Sequence, residues 1–168
     1  MLLEKLLSGV FQEGQEVFDR AILALTDGSI FHGYSIGFQS STSGEVVFNT
    51  SMTGYQEIIS DPSYAGQIIT LTYPHIGNVG CNKDDLESKK IVSNGLIIRD
   101  LPKNHSSHRA EESLMSFLKK NRVVAIAGID TRKLTRNLRL NGAINGSIVT
   151  FQNKSKFLPE VAQKKAIS

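Results

Sequence analysis

Large apolar residues recur along this chain in short runs, and the spacing inside each run predicts its element. In "MLLEKLLSGVFQEGQEVFDR" the pairs 2/3, 6/7 and 10/11 share one helical face, which predicts an amphipathic helix over residues 1–20 that docks on the domain or on a partner. Glu4 and Lys5 break its apolar run, and no basic leader or small-x-small site accompanies it, so it does not read as a signal peptide. "AILAL", then Thr26-Asp27-Gly28-Ser29, then "IFHGYSI" predicts a β-hairpin, because glycine readily takes positive φ in the turn. "EVVFN" is a further strand, entered from a Ser/Thr/Gly-rich loop over residues 40–44. "TGYQEIISDP" predicts a short helix, with Thr53 and Gln56 at capping-box spacing and Pro62 forbidding continuation.

Asp61-Pro62-Ser63-Tyr64 then suits a tight turn, with Asp accepting from the backbone and Pro presetting φ, and it presents Ser63 on an exposed corner. "QIITLTY" and "NGLIIR" are strands, and a polar loop follows. Glu111 and Glu112 are placed in the first turn of a helix whose Leu114, Phe117 and Leu118 share a face and whose end carries Lys119 and Lys120, charges that complement the macrodipole at both ends. "VVAIA" reads as a buried strand. Asp130 is a good N-cap for the next helix, with Ile129 placed to staple onto Leu134, Leu138 extending the stripe and Gly142 closing it. "AINGSIV" is the last strand. Hairpins early and β-α-β order late give a mixed α/β domain.

Composition narrows the class without naming a chemistry. Of 168 residues, 40% are hydrophobic and 21% charged, ordinary globular usage that gives disorder no support. One cysteine cannot form an internal disulfide or supply clustered thiolates, so a reducing compartment fits best. No stretch has the length and apolarity of a membrane span. A net charge of +3 is too mild to imply nucleic acid. The distribution says more: between Thr131 and Asn153 stand Arg132, Lys133, Arg136 and Arg139 with no acidic residue.

The candidate nucleophiles each meet a plainer alternative. Cys81 with His75 as base would need a third, orienting group and a local element that lowers the thiol pKa, and neither can be assigned; the alternative is a small, partly buried loop thiol. Ser63 lacks a G-x-S-x-G elbow, so it is either a hydrogen-bonding substrate contact or a serine that completes a turn. His32 reads as structural, and His105 and His108 as solvated; their spacing alone makes a weak metal pair. No phosphate-binding loop is present, since "GYSIG" has the wrong spacing and "TSMTG" lacks the lysine. The basic helix is either a phosphate or nucleic-acid contact, or a face that is solvated or meets an acidic partner; without aromatic residues to stack bases, the second pair of readings wins.

Three blocks, "GEVVFNTSMTGYQEIISDPSYAGQIITLTYPHIGNVG", "GLIIRDLP" and "AIAGIDTRKLTRNLRLNGAINGSI", closely resemble the N-terminal domain of the small subunit of glutamine-dependent carbamoyl phosphate synthetase, over about residues 21–150. The resemblance implies a swivelling β/β/α domain with mixed sheets and two or three helices. It implies a glutamine amidotransferase subunit, cytoplasmic, whose C-terminal domain hydrolyses L-glutamine with a Cys-His-Glu triad. Ammonia would pass by tunnel to a large subunit that binds ATP and magnesium and makes carbamoyl phosphate from bicarbonate for arginine and pyrimidine biosynthesis. The expected partners are that large subunit and the subunit's own glutaminase domain, with no nucleic acid and no membrane.

Residue by residue, the resemblance gives Ser63 the place of a serine whose hydroxyl helps hold glutamine. Cys81 matches no catalytic cysteine, so no catalytic, cofactor-binding or metal-binding residue is expected here, and Arg132, Lys133, Arg136 and Arg139 stand as a candidate partner interface. Residues 1–20 are an extension beyond the family's usual pattern, and 151–168 the expected start of a linker toward a glutaminase domain. The chain is then either an excised domain or a short protein that has lost its catalytic half, without glutaminase activity alone. The competing expectation is a freestanding anion- or RNA-binding module built on helix 131–140.

Overall fold

The computed structural model describes residues 18–74, 76–77, 81, 86–88, 90–101, 112–151 and 159–167; the expected helix over residues 1–20 lies almost wholly outside them. Seven strands, β1 (Arg20–Leu25), β2 (Ile30–Ser35), β3 (Ser41–Asn49), β4 (Ile68–Leu71), β5 (Gly95–Ile97), β6 (Val124–Ala127) and β7 (Ile144–Phe151), close into a barrel in the order β1-β2-β6-β5-β4-β3-β7. β3, β4, β5 and β6 run parallel to one another, while β1, β2 and β7 join antiparallel. Parallel neighbours need crossovers, and helices α1 (Tyr55–Ser60) and α2 (Leu114–Lys120) lie in two of them. Helix α3 (Thr131–Asn141) joins β6 to β7, and α4 (Pro159–Ile167) follows β7. The mixed α/β class is as expected; closure into one barrel is not foreseen in the sequence, and the described residues hold four α-helices rather than two or three.

Side chains alternate across each strand, so a closed sheet sorts them into an inner and an outer set. The inner set takes Leu23, Phe31, Val46, Ile68, Ile97, Ile126 and Ile148, one from every strand, and Leu134 and Leu138 of α3 join it. The outer set splits in two. Ile69, Leu71, Leu96, Ala125 and Ala127 pack under α1 and α2 with Tyr55, Ile59, Leu114, Phe117 and Leu118. Ile22, Ala24 and Val149 pack under Ala162 of α4. This double coverage explains why "AILAL" and "VAIA" are continuous apolar runs: both of their faces are buried. The barrel is tight enough that a Cβ on Gly146 would lie 2.7 Å from a Val46 methyl and 2.9 Å from a Leu25 methyl, so only hydrogen fits there.

Several local expectations hold. Asp130 caps α3 by accepting from the Lys133 N–H at 2.9 Å, Ile129 and Leu134 share a cluster, and Gly142 ends the helix. Others are corrected. Thr53 does not cap α1; Gly54 stands at that position without a side-chain bond, and Gln56 is buried. Glu112 is not in the first turn of α2, because Ser113 caps that helix and Glu112 is drawn into a bridge with Cys81; Glu111 lies outside the described residues. Residues 41–44 are strand rather than loop, paired with β7. Residues 159–167, within the stretch expected to begin a linker, form α4, held by Ser147 Oγ donating to the Ala162 carbonyl at 2.6 Å and Gln163 Nε2 to the Gly28 carbonyl at 3.2 Å.

Two leucines of α3 test this arrangement. Leu134 is fully buried and Leu140 is 82% exposed. Leu134→Ala is expected to lower stability by about 3 kcal/mol through the cavity left behind, and Leu140→Ala to change it by less than about 0.5 kcal/mol. Urea unfolding midpoints measured at unchanged slope check both.

Candidate functional site

The turn after α1 is where exposed chemistry is most firmly built. Pro62 has no N–H to continue the helix, so the chain tightens into a 3-10 turn over Pro62–Tyr64. Ser60, buried just before it, donates from Oγ to the Gln56 carbonyl at 2.7 Å and accepts from the Glu87 N–H at 2.9 Å. Ser88 and Ser93 donate to the Ser60 and Ile59 carbonyls at 2.8 and 3.1 Å. The base of the turn is therefore tied to a segment some 27 residues further along the chain. Beyond the turn, Gly66 takes φ 77°, and a Cβ on Gly44 would sit 2.3 Å from the Gly66 carbonyl oxygen, so β3 and the turn meet backbone to backbone. Asn49 at the end of β3 donates from Nδ2 to the Tyr64 hydroxyl at 3.0 Å.

Ser63 is exposed at the tip. Its N–H and its hydroxyl both donate to Asp61 Oδ1, at 2.8 and 2.7 Å. These bonds, the backbone one first, hold the Asp61 carboxyl below its ordinary value. An acid held ionised in this way is a weak proton acceptor at neutral pH, so Asp61 orients the serine without activating it. With its hydrogen on Asp61, the Ser63 oxygen turns lone pairs outward. The arrangement can bind a donor group; it has no means of attack.

Cys81 is fully buried and bridged to Glu112, with Sγ 4.0 Å from the Tyr55 hydroxyl. Expected as a partly buried loop thiol, it is wholly inside, where no substrate reaches it. His75, His105 and His108 lie outside the described residues. His32 is exposed on β2. Among the described residues no group of three or more His, Cys, Asp or Glu side chains could hold a metal, and no helix is long and apolar enough to cross a membrane.

The four cations of α3 are all exposed. The Lys133 ammonium sits 5.7 Å from the Phe31 ring centre and the Arg139 guanidinium 5.2 Å from that of Phe48. Asp130, Arg132, Lys133 and Arg136 line a shallow concavity of about 320 Å³. Neither ring could be tied to its cation from sequence, because each pair is separated by about ninety or more positions and no local pattern records it.

Residues 23–148 match the family described as carbamoyl-phosphate synthase small chain, CPSase domain. The chain is 65% identical over 130 residues to the carbamoyl phosphate synthase small chain of Neisseria meningitidis serogroup A, covering 77% of this chain and 34% of that one. Its likeness to the small chain of Acinetobacter baylyi is 65% over 136 residues (79% and 36%), and to that of Ralstonia nicotianae 58% over 146 residues (87% and 39%). The chain thus spans about a third of the length of the curated relatives it matches.

Because Asp61 is held below its ordinary value of 3.8, its hold on Ser63 is complete above that pH and is lost as the pH falls through the lower folded value. The Ser63 amide shift followed by NMR is expected to titrate below pH 3.8, and Asp61→Asn to abolish that titration.

Proposed function

Because the chain belongs to the carbamoyl-phosphate synthase small chain family through its CPSase domain, we propose that it works as the N-terminal, non-catalytic part of a glutamine-hydrolysing small subunit. The barrel with α1, α2 and α3 then corresponds to the swivelling β/β/α domain, residues 21–150, and residues 151–168, whose α4 packs back on the barrel, to the approach to a glutaminase domain. That second domain supplies the Cys-His-Glu triad. Ammonia released there passes to a cytoplasmic large subunit that binds ATP and magnesium and makes carbamoyl phosphate for arginine and pyrimidine biosynthesis.

The observation that carries this reading is the Asp61–Tyr64 turn, lying inside the matched residues with Ser63 exposed and oriented. Ser63 walls one side of the glutamine pocket and accepts a hydrogen bond from an N–H of the substrate. Fixing the hydroxyl beforehand lowers the ordering cost of binding. No attacking atom comes from this chain: Cys81 is buried, and the base beside Ser63 is Asp61, a carboxylate whose lowered pKa makes it too weak to activate the hydroxyl.

Two measurements follow. The 168-residue chain incubated with glutamine is expected to release no ammonia above background; release abolished by Cys81→Ser would overturn the assignment. In a small subunit carrying this domain, Ser63→Ala is expected to weaken glutamine binding by about 1 kcal/mol, a roughly fivefold rise in KM, with ammonia-driven synthesis unchanged. An unaltered KM for glutamine counts against the serine's role.

A further inference from the structure

We propose that the outer face of α3 docks an acidic protein surface, with Arg132, Arg136 and Arg139 as its charged contacts and Leu140 as its apolar anchor. Residues 132, 136, 139 and 140 are spaced i, i+4, i+7 and i+8, which places them on one stripe of the helix. All four are exposed, and Leu140 is the most exposed large apolar residue described, at 82%. Two other described cations find carboxylates, Arg99 with Asp100 at 3.5 Å and Lys120 with Glu112 at 3.7 Å. The α3 cations have no such partner among the described residues. Asp130, the one acid at the helix, is engaged with the Lys133 N–H at 2.9 Å.

Like charges at these spacings work against the helix that carries them, so folding does not account for the cluster. A partner's carboxylates would. Phe48 already holds the Arg139 guanidinium, which restrains one of the three long contact side chains before any partner arrives and lessens its entropy loss on docking. Nucleic acid fits the face less well. α3 has no aromatic residue, and the two rings beside it are faced by cations rather than open to bases; phosphate contacts would also leave Leu140 without a seat.

The identity of the partner rests on the proposed function, which makes it the large chain of carbamoyl phosphate synthase. The test measures binding of the 168-residue chain to that large chain, from the same organism, over a range of salt concentrations. Arg132→Glu, Arg136→Glu and Arg139→Glu combined are expected to weaken binding by about a hundredfold or more, and Leu140→Asp by about tenfold. Wild-type affinity should fall with salt. Reversing Lys90, Lys119 and Lys164 together, exposed elsewhere, should have little effect; circular dichroism confirms that each variant folds. If the wild type binds and the α3 triple variant binds equally well, this face is not the dock and the proposed function stands. If the wild type does not bind the large chain, both fall. Tight, steeply salt-dependent binding of poly(U) RNA, lost in the triple variant, would replace the protein partner with nucleic acid and overturn the inference.

Discussion

Closure of the sheet is the constraint on which the rest of the domain depends. β7 pairs along its length with β1 on one side and β3 on the other, and so joins the antiparallel hairpin to the parallel strands. The opposite seam is slight: β2 meets β6 only at Tyr34–Ala127 and Ser35–Ile126, supplemented by Ile36 and Phe38 donating to the Ala125 and Val123 carbonyls at 3.1 and 2.8 Å. A closed sheet leaves no strand edge open to pair with another chain. It also gives every strand an inside, which α3 plugs with Leu134 and Leu138, and an outside, much of which helices cover.

The turn that bears Ser63 inherits its position from this closure. β3 and β4 are parallel neighbours, so the segment between them must cross over outside the barrel and come back to the start of β4. α1 makes the crossing, Pro62 stops it, and the Gly44–Gly66 approach fixes the landing point. Backbone bonds from Gly66 to the Val92 carbonyl and from Asn94 to the Gln67 carbonyl, at 3.1 and 2.8 Å, hold the landing on its far side. An exposed serine on a loop of free conformation would have to be ordered by its ligand; here the ordering is done in folding.

Most of this was legible in the sequence wherever one short segment held the whole cause. The hairpin at Asp27-Gly28, the Asp130 cap, the Gly142 stop and the Asp61-Pro62 turn each depend on residues within a few positions of one another, and each stands as expected. What failed depended on distant partners. The Thr53–Gln56 pattern was a sound local signal, but burial of Gln56 against the body of the protein overrode it. Glu112 suited a helix start until Cys81, over thirty positions away, drew it into a bridge. Closure itself has no local signature, because continuous apolar strands fit an open sheet covered on both faces as well as a barrel. The same limit applies to the site: the serine and its turn were visible, whereas the rings under Lys133 and Arg139 were not.

The two surfaces proposed for ligand and partner are joined at the end of one strand. Phe48 and Asn49 are the last two residues of β3, and successive strand residues point to opposite sides. Phe48 lies beneath the Arg139 guanidinium of α3, and Asn49 bonds the hydroxyl of Tyr64, next to Ser63. At this end β3 pairs with β4 alone, Phe48 opposite Thr70 and Asn49 opposite Leu71, its pairing with β7 having ended at Val46, so a shift of either residue would disturb the β3–β4 hydrogen bonds. A protein seated on α3 and a ligand at Ser63 would therefore be held in fixed register by a rigid strand end. Such a strand end would suit the proposed role, in which the domain contributes geometry and its two faces keep their distance.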